Sequence, residues 1–203
     1  AFDFLNERWP DAARLIIYCG AGNNAGDGYV LAAIAMRAGI EAHVIALSDP
    51  GGLGGDAGRA VALAREAGVP VSDFVAGTAP DADLVVDALL GTGLERDVSG
   101  RYADAVAAIN SVRCPVLALD VPTGLDSDSG AIRGIAVLRI IECLVLLGFG
   151  QTCQTGSLRY GHSSPFNSFL KSPSAVLQNL ERAVDRSARH SEHQAGLIAS
   201  RAL

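Results

Sequence analysis

Residues 20 to 28 read Gly20-Ala21-Gly22-Asn23-Asn24-Ala25-Gly26-Asp27-Gly28. An apolar run, Leu15-Ile16-Ile17-Tyr18-Cys19, precedes them and reads as a buried strand. Tyr29 to Met36 follows as a helix, expected to run from about Gly28 to Ala38 and to stop at Gly39. A glycine-rich turn between a strand and a helix aims backbone N–H groups and the positive end of the helix dipole at its ligand, which suits a phosphate or pyrophosphate. Gly-x-Gly-x-x-Gly alone is a weak signal, because tight packing in a first βα turn also calls for glycine. The Asn23-Asn24-x-Gly26-Asp27 core is more specific, since packing does not ask for three polar side chains there.

The rest of the chain repeats this alternation of strand and helix. Strands are expected at Ala42–Leu47, Leu84–Leu90 and Val116–Val121, with helices at Ala57–Glu66 and Tyr102–Ile109. Ala1–Trp9 reads as the end of a helix, and Asp49-Pro50-Gly51-Gly52 as a loop. Such alternation predicts βαβ units and a mainly parallel sheet with helices on both faces. The strands are apolar almost throughout, as burial on both faces requires. Ligands in these sheets bind beyond the carboxyl ends of the strands, where the strand order reverses. Ile135–Leu147 is a further β-leaning run, and Ala175–Ala188 offers one amphipathic helix.

Composition narrows the function classes. The 203 residues are 49% hydrophobic with a net charge of −6, which disfavours nucleic acid and anionic membrane as partners. Basic residues outnumber acidic ones from residue 133 onward, so the acidic excess lies in the earlier part. Cys19, Cys114, Cys143 and Cys153 fit no metal or redox spacing, and the expected compartment is a reducing cytoplasm. No signal peptide or membrane span is visible.

Two further strand ends carry chemistry. Asp87 lies inside Val86-Asp87-Ala88-Leu89-Leu90-Gly91-Thr92-Gly93-Leu94, where a charge within an apolar strand needs a partner. Asp120 ends the strand in Leu119-Asp120-Val121-Pro122-Thr123-Gly124-Leu125-Asp126, a position suited to acid/base work or to holding a hydroxyl. Each aspartate alone reads equally as a turn or cap residue. Asn24, Asp87 and Thr123 together offer oxygen ligands only, which suit a hard cation better than zinc.

With these three segments in place, the chain resembles the NAD(P)H-hydrate epimerase family, the YjeF N-terminal domain. Gly22–Gly28 matches its Gly-Asn-Asn-Gly-Gly-Asp-Gly signature, Val86–Leu94 its Val-Asp-Ala-Leu-Phe-Gly-Thr-Gly-Leu segment, and Leu119–Asp126 its Val-Asp-Ile-Pro-Ser-Gly-Leu-Asp segment, with Thr123 in place of Ser. The resemblance implies a Rossmann-like three-layer α/β/α sandwich over residues 1–137. It implies interconversion of the R and S forms of hydrated NADH and NADPH, with a dehydratase as functional partner or fused domain. By resemblance, Asn23, Asn24, Ala25, Gly26 and Asp27, together with Gly91, Thr92, Gly93, Leu94, Glu95, Arg96 and Asp97, hold the nucleotide. Asn24, Asp87 and Thr123 hold a potassium ion, and Asp120 contacts the substrate as the catalytic acid/base.

The chain departs from the family pattern at both ends. Fewer residues precede the glycine turn than the family has, so the N-terminal lobe, which contributes to a possible homodimer, is expected to be truncated. Beyond Val137 the family's Arg-Ala-Asp-x-Thr-Val-Thr-Phe and Lys-x-Gly segments are not found, and Lys171 is the sole lysine. Residues 138–203 therefore read as a divergent, partly disordered segment, in keeping with a reading-frame slip. The alternative to an epimerase is a non-catalytic binding or scaffold module on the same fold. An NAD-dependent dehydrogenase is disfavoured, because no acidic residue ends the second strand at Leu47 to hold a ribose.

Overall fold

The computed structural model describes residues 1–78, 80–127, 131–138, 142–143 and 153–154. The elements run α1 (Phe2–Arg8), β1 (Arg14–Cys19), α2 (Asn23–Arg37), β2 (Glu41–Ala46), α3 (Gly55–Glu66), β3 (Val71–Asp73), β4 (Leu84–Ala88), α4 (Gly100–Ser111), β5 (Val116–Ala118), β6 (Glu142–Cys143) and β7 (Cys153–Gln154). They form one sheet in the order β3-β2-β1-β4-β5-β6-β7. All neighbours are parallel except β6 and β7. The strand order reverses between β1 and β4, the place where sheets of this class form their ligand crevice, beyond the carboxyl ends of the strands.

Alternation along the strands divides the core in two. Leu15, Ile17, Cys19, Val44, Leu84 and Val86 pack against α2 and α3. Ile16, Tyr18, Val85, Val116 and Ala118 pack against α4 through Ala105, Val106 and Ile109. Helices thus cover both faces, and the α/β/α sandwich expected from the sequence is the observed architecture.

The largest correction concerns the opening stretch. Asn23 to Asp27 is not part of the turn; α2 begins at Asn23, capped by Gly22, so the connection from β1 is only Gly20 to Gly22. The glycines inside the helix are there for packing rather than bending. A Cβ at Gly28 would stand 2.7 Å from both Cys19 Sγ and Ala88 Cβ, and one at Gly26 would stand 3.2 Å from Ala57 Cα. Tertiary contact overrides the poor helix propensity of glycine at both places.

Smaller differences follow from pairing. The fourth and fifth strands end earlier than expected, at Ala88 and Ala118, because ladder pairing between them stops at Asp87 and Ala118. The edge strand β3 escaped the sequence reading, being short and exposed at every position. The expected helix over Ala175–Ala188, and the divergent segment from 138 on apart from Leu138, β6 and β7, lie outside the described residues. No helix among the described residues is long and apolar enough to cross a membrane.

Candidate functional site

The three motifs meet at the switch point. β1 delivers Gly20, whose N–H donates to Ala88 O at 3.2 Å. A Cβ at Gly20 would fall 2.0 Å from Leu89 O, so the chain leaves β1 pressed against the end of β4. α2 then starts over the crevice. Gly22 provides no side-chain cap, which leaves the first-turn N–H groups of a 15-residue helix to solvent or ligand.

Asn24, Asp87 and Thr123 form one hydrogen-bonded cluster. Asp87 is buried at the end of β4, and both its oxygens are engaged by the Pro122–Gly124 turn. Thr123 N donates to Oδ2 at 2.9 Å, and the Thr123 hydroxyl donates to Oδ1 at 2.7 Å. Leu89 N adds a third bond to Oδ1 at 3.2 Å. Having spent its proton on Asp87, the Thr123 hydroxyl accepts from Leu90 N at 3.1 Å. Burial raises the Asp87 carboxyl to about 6 against the pull of these donors. The partner demanded by a charge within an apolar strand is thus the Thr123 hydroxyl and a set of backbone amides.

Asn24 closes the cluster from α2. Its Nδ2 donates to Leu90 O at 3.0 Å, which fixes the amide orientation. The carbonyl Oδ1 is then buried with no hydrogen-bond partner among the described residues. A buried acceptor left unmatched costs about 1–3 kcal/mol, unless a ligand supplies the missing positive charge. The donor set is oxygen-only, and no cluster of three or more His, Cys, Asp or Glu that would suit a transition metal occurs among the described residues. These residues fit a weakly charged hard cation.

Asp120 stands beside this cluster on the crevice side. Thr92 N donates to its Oδ2 at 2.9 Å, and Val121 N also bonds the carboxyl. Burial outweighs these bonds and raises its titration. Gly91 is the floor between the motifs: a Cβ there would lie 2.2 Å from Asp120 Oδ2 and 3.6 Å from Asn24 Cβ. Asp27, one turn along α2 from Asn24, is half-buried; burial, and then the charge of Asp120, pushes its carboxyl up to about 6.

The structure does not treat all the predicted residues alike. Asn24, Ala25 and Gly26 are buried, while Asn23 is exposed at the start of α2. Gly91, Thr92 and Leu94 are half-buried at the crevice, whereas Gly93, Glu95, Arg96 and Asp97 are exposed along the loop that leads to α4. Sequence reasoning missed the parts that hold the third motif in place. Arg133 Nε reaches Asp126 Oδ2 at 2.9 Å and its Nη2 reaches the same atom at 2.5 Å. Asn110 bonds Ala136 O and Leu138 N, at 2.9 and 2.8 Å. Val137 N donates to Thr123 O at 2.8 Å. The strap 131–138 is thereby tied both to α4 and to the turn that carries Thr123. The Leu90 carbonyl, a backbone group, had no signal in the sequence.

Known proteins resemble this chain in sequence and in fold. Residues 1–153 match the family described as YjeF-related protein N-terminus, which extends past Val137 through β6. The bifunctional NAD(P)H-hydrate repair enzyme Nnr of Coxiella burnetii is 40% identical over 137 residues, covering 68% of this chain and 28% of that protein. The NAD(P)H-hydrate epimerase of Levilactobacillus brevis is 36% identical over 136 residues, covering 67% of this chain and 62% of the other. The chain thus spans less than two thirds of the length of these relatives. The crystal structure of yeast ynu0 superimposes with a TM-score of 0.57 at 22% identity, over 66% of this chain and 62% of that one, which is a likeness of fold. A family match across three quarters of the sequence, with all three motifs gathered at one switch point, makes this chain a member of the YjeF-related protein N-terminus family.

Proposed function

We propose that this chain interconverts the R and S forms of hydrated NADH and NADPH, the activity in the names of its epimerase relatives. The observation that carries the reading is Asp120: a half-buried carboxyl raised by burial, held by two backbone amides, at the switch-point crevice beside an uncapped helix N-terminus. The free N–H groups of α2 suit the pyrophosphate of a dinucleotide, which would direct the nicotinamide end toward Asp120. Hydration of an enamine puts the hydroxyl on the carbon bonded to nitrogen, and R is exchanged for S there when the C–O bond breaks, with the nitrogen lone pair stabilising the cation, and re-forms on the other face. A carboxyl whose titration burial raises can give a proton in one half of that exchange and take it back in the other.

Asn24, Asp87 and Thr123 would hold a potassium ion, the orphaned Asn24 Oδ1 being its best-supported ligand. Its contribution would be positive charge that neutralises Asp87 and fixes the Leu89–Gly91 and Pro122–Gly124 turns around the substrate. Repair of the cofactor then needs a dehydratase that consumes one epimer, acting as a separate protein or a fused domain.

The test is turnover of purified R-form hydrated NADH in potassium buffer, coupled to an S-specific dehydratase. Asp120→Asn is expected to lose about 10²–10⁴-fold in kcat while remaining folded. Full activity in that variant would remove Asp120 from the chemistry. A folded wild-type chain without any turnover would favour a binding module.

A further inference from the structure

Asp27 has no part in the ion cluster and no hydrogen bond to its carboxyl among the described residues, yet it is half-buried at the crevice. Asn24 and Asp27 are three residues apart on α2, so they share a helix face. That face is turned to the ends of β1 and β4: Asn24 bonds Leu90 O, and Gly28 lies over Cys19 and Ala88. Asp120 approaches the same place from the end of β5, with Gly91 separating it from Asn24. The charge of Asp120 raises the cost of ionising Asp27, so the two carboxyls lie within electrostatic reach of each other from different elements, α2 and the end of β5. The charged side chain facing Asp27 is Asp120, from the β5 end; Asp87 at the end of β4 faces Asp120.

We propose that Asp27 is a second catalytic acid/base of this site, paired with Asp120 across the substrate ring. The proposal rests on the epimerase reading and assigns it a chemical route. One carboxyl, protonated, gives its proton to the ring hydroxyl; the C–O bond breaks with its electron pair on oxygen, and water leaves. The ring nitrogen lone pair closes the vacancy as a C=N bond with positive charge on nitrogen. Water adds to the same carbon from the opposite face, the C=N pair returns to nitrogen, and the other carboxylate takes the proton released by the water. One water is lost and one regained, and a single proton has crossed from one aspartate to the other. The pair is then set for the reverse direction, as an epimerase requires.

The experiment combines kinetics and titration on the intact chain. In Asp27→Asn, kcat is expected to fall about 10²-fold or more with KM within about threefold, and one limb of the pH–kcat profile should vanish. Asp27→Glu should recover part of the loss. Carboxyl ¹³C resonances of the substrate-free protein provide a readout independent of turnover: Asp120→Asn should lower the apparent titration of Asp27. Normal wild-type turnover combined with an Asp27→Asn variant altered only in KM would overturn the assignment and leave the epimerase reading standing. A folded wild-type chain that never turns over would overturn both. An Asp27 titration unmoved by Asp120→Asn would overturn the pairing in either case.

Discussion

Asp27 lies in the second turn of α2, where burial and the neighbouring Asp120 push its carboxyl up from an ordinary 3.8 to about 6. The folded protein thus holds this proton more tightly than the unfolded chain does. Folding is unopposed by Asp27 below about pH 4, is increasingly opposed as pH rises toward 6, and bears the whole cost above that. Two pKa units would correspond to about 3 kcal/mol, and partial exposure reduces this to about 1–2 kcal/mol. Asp27→Asn should therefore raise the melting temperature by about 2–8 °C at pH 7.5, and by almost nothing at pH 4. Thermal unfolding at the two pH values checks it; equal gains at both would mean that the carboxyl carries no burial cost.

Among the elements, the Pro122–Val137 segment shows how the Asn24–Asp87–Thr123 cluster depends on backbone. Gly124 has φ of +89°, and a Cβ there would stand 2.0 Å from Ile135 O. Gly124→Ala combines left-handed strain with a backbone clash, so the turn must shift and carry Thr123 off Asp87. A loss of about 2–4 kcal/mol in stability is expected, with weaker turnover in whatever remains folded. Urea unfolding measures the first, and a stability unchanged within about 0.5 kcal/mol would mean that the turn tolerates the side chain. The support of this turn was the least legible part of the sequence. Asp87 and Asp120 stood out because polar groups at the ends of apolar strands are conspicuous, and Asn24 because packing asks for no polar side chain in a glycine-rich stretch. The Asp126–Arg133 ion pair and the Asn110 bonds to Ala136 and Leu138 did not, since they join residues whose meeting depends on how a loop folds back. The start of α2 misled for a related reason: glycines chosen by Ala57, Ala88 and Cys19 across the fold look, locally, like a turn.

At the level of the whole molecule, strand alternation gave the layers and the switch point directly, because periodicity and burial are properties of the chain itself. Occupancy of the proposed ion site is not, and it is read from stability. A ligand that binds only the folded state adds RT ln(1 + [L]/Kd), about 2.7 kcal/mol at a hundredfold excess over Kd. For a chain of this size that corresponds to about 5–10 °C in melting temperature. The net charge of −6 complicates the comparison, since any salt screens repulsion in an acidic protein. Melting curves in potassium, sodium and choline chloride at equal ionic strength separate the two effects: screening is common to all three, and a fitted site favours potassium. The wild-type chain should melt highest in potassium, and Asn24→Ala should bring its three curves together, because the orphaned Oδ1 is the ligand removed. Coincident wild-type curves would sink the cation reading and leave Asn24 Oδ1 as a buried acceptor satisfied by water.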